Sequence, residues 1–107
     1  MTKGYEFEMP GYAPITFEKY NGVNWIRAED FLRDVFNVCD PKPICTPLFS
    51  SHFVFAQDNS CIFLVRSMGA VLSDFVELMV LSGQEARLFW ERFKAHYQQL
   101  IMKYTQK

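Results

Sequence analysis

Long hydrophobic runs are missing from this chain of 107 residues, and its apolar stretches are only a few residues each. A membrane-spanning helix needs about 18 or more in succession, so none is expected. Cysteine is scarce. There are three, Cys39, Cys45 and Cys61, an odd number that does not close into a disulfide framework. Glycine is sparse as well, and Gly69 and Gly83 stand alone, so no Gly-rich phosphate loop is present. An excess of charge is also lacking: the net charge is −1 and the isoelectric point about 6.1. That excludes a global attraction to nucleic acid or to an anionic membrane. Met1 to Tyr12 carries Glu6 and Glu8 and no apolar run, unlike a secretory leader. The expectation is a protein of a reduced, cytoplasmic setting.

Aromatic residues are abundant, at 17% with eleven Phe, and half of the chain is hydrophobic. One domain can build a core from this without staples. Charge is unevenly shared. Residues 1–59 hold eight acidic and five basic side chains, a balance of −3, and residues 60–107 hold four and six, a balance of +2. An anionic partner is therefore expected to meet the C-terminal half.

Local signals order the elements. Residues 1–13 mix Gly, Pro, Tyr and Glu without period and read as an N-terminal arm, ahead of a single domain over 14–107. Ile15 to Tyr20 alternates as a strand, Asn21-Gly22 is a two-residue hairpin turn, and Val23 to Ile26 is the return strand. Ala28 to Asn37 reads as a short helix with Glu29 and Asp30 in its first turn. Cys39 to Pro47 holds three prolines in nine residues and is not regular structure. His52 to Ala56 and Cys61 to Val65, joined at Asp58-Asn59, suggest a second hairpin. Ser67 is a candidate cap for an almost wholly apolar helix from Met68 to about Leu81.

The last segment is the best specified. Ser82 and Glu85 form a capping box, and Ala86, Phe89, Trp90, Phe93, Tyr97, Leu100, Ile101 and Tyr104 follow the rhythm of one buried helical face. Strands and helices do not alternate as parallel βαβ units do. The expected fold is α+β: an N-terminal β-hairpin, a short helix, a second β-hairpin, and two C-terminal helices packed on a small antiparallel sheet.

Several side chains invite chemistry. Cys39, Cys45 and Cys61 with His52 have the composition of a zinc site, but no C-x₂-C or H-x₃-H pair exists, and idle or buried thiols are the simpler account. His52 with Ser50, Ser51 and Asp58 lacks a nucleophile-elbow sequence. His96 has Arg92 and Gln99 at helical spacing, which do not orient a base. Glu29, Asp30 and Asp34 are explained by helix capping and solvation. No catalytic or metal site, no cofactor and no small-molecule substrate is therefore expected.

Binding surfaces fare better. Arg87, Arg92, Lys94 and Lys103 lie along the last helix and are the candidates for contact with DNA or another anion. Leu88, Ala95 and Met102 fall seven apart, off the main apolar stripe. With Leu78 and Leu81 they are the candidates for a partner or homodimer interface.

The run Tyr20-Asn21-Gly22-Val23-Asn24-Trp25-Ile26-Arg27-Ala28-Glu29-Asp30-Phe31 resembles the hairpin-to-helix segment of Bro-N domains, through Asn21-Gly22, Trp25, Ala28 and Asp30. Ile62 to Met68 and the apolar helix after it resemble the strand and helix that follow in that family. Ser82, Glu85-Ala86 and Phe89 resemble its S…E-A-x-x-F segment. Bro-N domains occur in phage antirepressors and baculovirus repeated-ORF proteins and are regarded as DNA-binding regulatory modules. The resemblance implies a non-enzymatic regulator of phage or mobile-element type in a bacterial host cell, binding DNA or a repressor protein. The alternative from the acidic N-terminal half is an inhibitor that binds a host or defence complex without touching DNA.

Overall fold

The computed structural model describes residues 2–40 and 52–105, with side chains described over 6–40 and 52–98. Five strands form one antiparallel sheet in the order β1-β2-β3-β5-β4. They are β1 (Thr2–Phe7), β2 (Ile15–Tyr20), β3 (Val23–Arg27), β4 (Phe53–Phe55) and β5 (Cys61–Leu64). Three helices accompany them: α1 (Ala28–Phe36), α2 (Met68–Glu77) and α3 (Gly83–Thr105). This is the α+β architecture expected, with the two C-terminal helices following the sheet.

The first hairpin forms because Asn21 and Gly22 both take positive φ, 52° and 78°, which matches the twist of the flanking strands. Its register sets Phe17 opposite Ile26, and β5 continues that row with Phe63 opposite Ile26. Ile15, Phe17, Ile26, Phe53 and Phe63 are buried and make the helix-facing side of the sheet. The second hairpin turns where Asn59 takes φ 66° and the Ser60 carbonyl accepts from Ala56 N at 2.8 Å.

Residues 1–13 depart from expectation. The segment read as an arm contains β1, which pairs with β2 through Tyr5–Phe17, Glu6–Thr16 and Phe7–Ile15. The pairing slips between Thr2 and Tyr5, so no clean alternation exists for a sequence reading to find. Phe7 and Met9 are buried in the core.

The apolar helix also ends early. α2 stops at Glu77, not Leu81, and Met79 takes φ 62° in the turn that follows. Val80 and Leu81 both donate backbone N–H groups to the Phe75 carbonyl, at 2.9 and 3.3 Å. Four apolar residues in a row carry no stop signal, and the turn is closed by burying Leu81 (5% exposed). Ser67 makes no side-chain cap; a short 3₁₀ turn, Val65–Ser67, leads in instead.

α3 starts as the capping box dictates. Glu85 N donates to Ser82 Oγ at 3.0 Å, and Ser82 N donates to Glu85 Oε1 at 3.4 Å. Phe89 and Phe93 then enter an aromatic cluster. Phe93 meets Phe7 at 5.5 Å between centroids, and Phe89 meets Phe31 at 5.5 Å. Phe53 stacks on Phe75 at 5.9 Å. Each well-oriented ring pair adds about 0.5–1.5 kcal/mol beyond area burial. Most of the described Phe side chains thus join sheet to helices, while Phe55 on β4 is exposed. Among the described residues, no helix is long and apolar enough to cross a membrane.

Candidate functional site

α3 carries the expected surface. Leu88 is 50% exposed and Ala95 is exposed, so these two members of the second stripe face away from the core. At 100° per residue, both lie on the side of α3 turned from Ala86 and Trp90. Leu78 is part of the surface too, at 36% exposure. Leu81 is not: it packs in the core and leaves the set of interface candidates. Met102 and Lys103 lie on the last turns of α3, outside the described side chains.

The basic candidates do not form one face. Arg92 donates from Nη1 to the Pro10 carbonyl at 3.4 Å and sits 5.9 Å from the centroid of Tyr12. It straps the segment after β1 onto α3. Lys94 lies 5.5 Å over the Trp90 ring and 3.7 Å from Glu91 Oε2. Arg87 is exposed and has no ion-pair partner among the described residues. Helical phase puts Arg87 and Lys94 on one side and Arg92 on the other.

A second surface escaped the sequence reading. Between α2 and α3 runs a groove of about 320 Å³. Leu72, Val76, Ala86 and Trp90 line it, with Glu77 on one wall and Arg87 on the other. Beside it, Met79 projects 90% exposed from the turn. No local signal in the sequence marks the groove, because it depends on how two helices meet.

The outer face of the sheet holds a polar cluster. Arg27 reaches from β3 to Glu18 on β2, to Asp58 Oδ2 at 2.7 Å, and to Ser60 Oγ. Glu18 is 8% exposed, and this pairing accounts for its burial. Its neighbours raise the Arg27 pKa, chiefly through the hydrogen bond with Glu18. Asp58 is held down to about 2 by the Ser60 hydroxyl first and by Arg27 second. Arg27 therefore joins β2 and β3 to the β4–β5 turn.

The residues weighed for chemistry are scattered. Asp58 is committed to Arg27 and Ser60, so it is not the carboxylate of His52. That role falls to Asp74, with His52 Nδ1 at 3.0 Å from Asp74 Oδ2. Ser50 and Ser51 lie outside the described residues, as does Cys45. Cys61 is buried, its thiol pushed up to about 11 by burial and then by Glu29, while Cys39 is exposed. Among the described residues, no three His, Cys, Asp or Glu side chains cluster as a metal site. Asp30 pairs with Arg33 at 3.2 Å on α1. His96 Nδ1 donates to the Arg92 carbonyl at 3.0 Å, one turn back on its own helix.

No protein-family model matches the chain, and no curated protein or solved structure matches it.

Proposed function

We propose that this protein is a non-enzymatic regulator of phage or mobile-element type that works in the bacterial cytoplasm by binding a protein, in the manner of an antirepressor on its repressor. The Bro-N resemblance in Tyr20 to Phe31 and Ser82 to Phe89 supports the class. The observation that carries the mode is the exposure of Leu88, half exposed on α3, and of Ala95 two turns further along the same side. Exposed apolar side chains favour contact with a protein over contact with a phosphate backbone. The engagement of Arg92 by Pro10 and Tyr12, and of Lys94 by Trp90 and Glu91, argues the same way against direct DNA contact.

The test is affinity capture from the bacterial strain that carries the gene, with crosslinking to map the contact. A captured DNA-binding repressor, crosslinked at α3 and lost on Leu88→Arg substitution without a change in Tm, supports the reading. Tight duplex binding that weakens steeply with salt replaces it with the DNA reading. Arg87→Ala would then lower the slope of log K against log salt by about one.

A further inference from the structure

We propose that the groove between α2 and α3 seats a second copy of this chain, with α2 of one protomer lying on α3 of its partner. The inference goes beyond the regulatory reading and does not depend on it, since it uses a different side of α3.

The floor of the groove is apolar. Leu72 and Ala86 are buried beneath half-buried Val76 and Trp90. Two glycines, Gly69 and Gly83, also line it. A Cβ on Gly83 would meet nothing within 4 Å. A Cβ on Gly69 would meet the Trp90 ring at 3.0 Å, so the indole lies directly on the α2 backbone.

The walls identify the occupant. The α2 wall carries Glu77 and the α3 wall carries Arg87. Neither has an ion-pair partner among the described residues. The groove thus has one acidic and one basic rim over an apolar floor. Its charges cancel, so it attracts neither a phosphate backbone nor a uniformly charged peptide. It is complementary to itself. A two-fold axis along the groove exchanges the walls and sets Glu77 against the partner's Arg87, twice over. A two-fold axis across the groove would instead set like charges together, so the charges choose between the two arrangements. Leu78 and Met79, exposed at the turn beyond Glu77, extend the apolar surface at the same end.

Sedimentation equilibrium of the wild-type chain and of Glu77→Arg, Arg87→Glu and the double exchange tests this. Both residues are exposed, so the variants retain the wild-type Tm and circular dichroism as monomers. The wild type is expected to dimerise, each single reversal to weaken the dimer about tenfold or more, and the double exchange to restore it. A wild-type monomer at every concentration overturns the proposal. So does a dimer indifferent to the single reversals, or one that both reversals weaken and the double exchange does not rescue.

Discussion

Arg27 joins side chains from three parts of the sheet. Its guanidinium reaches Glu18, Asp58 and Ser60, and so ties three separate stretches of backbone together on the open side of the sheet. None of this was readable from the sequence. The partners stand nine, 31 and 33 positions away, and only the register of β2, β3 and β5 brings them together. The consequence is measurable at Asp58. Its folded pKa is depressed from 3.8 to about 2, so folding favours the ionised form. That contribution is whole above pH 3.8 and is lost as the pH falls towards 2. Asp58→Asn is therefore expected to flatten the dependence of the urea midpoint on pH across that interval. A variant with the same acid slope as the wild type contradicts this.

Among the elements, α2 shows where local signals end. The Asn21-Gly22 hairpin and the Ser82–Glu85 box were legible because each is a local hydrogen-bonding or conformational rule that its own residues satisfy. β1 was not legible, because an edge strand with a slipped pairing has no period of its own. The end of α2 was not legible either. Its stop is imposed by Leu81 entering the core, a tertiary event that overrides a helix-compatible run. The cost falls on Met79, a side-chain-bearing residue in a left-handed conformation worth about 1–2 kcal/mol of strain. Since its side chain is 90% exposed, little packing is lost on removing it. Met79→Gly is expected to stabilise the monomer by about 1 kcal/mol, read as a rise in urea midpoint at low protein concentration. A fall in the midpoint would mean that the thioether packs in the native state. The candidate surface was half legible on the same grounds. The stripe of Leu88 and Ala95 follows from helical period alone, whereas the α2–α3 groove depends on how two helices meet.

At the scale of the molecule, the described residues form one five-stranded sheet joined to its helices by Phe side chains, with exposed apolar side chains at α2 and α3 as well as at β4. A dimer built on the α2–α3 groove couples association to folding. Tm is then expected to rise by a few degrees for each tenfold increase in protein concentration, and Glu77→Arg to flatten the rise, as followed by scanning calorimetry. A Tm independent of concentration in the wild type counts against it. The strap between Arg92 and Pro10 has a consequence of another kind. It closes a loop of 82 positions, and Phe7, on the strand just before it, packs against Phe93 and Tyr97. A ribosome delivers these partners long after β1. The first strand can pair with β2 and stack Phe7 on Phe17 early, but the helix side of Phe7 stays uncovered until positions 93–97 have left the exit tunnel. Birth order and contact order are opposed here, and α3 closes over Phe7 only after the sheet edge that carries it has been made.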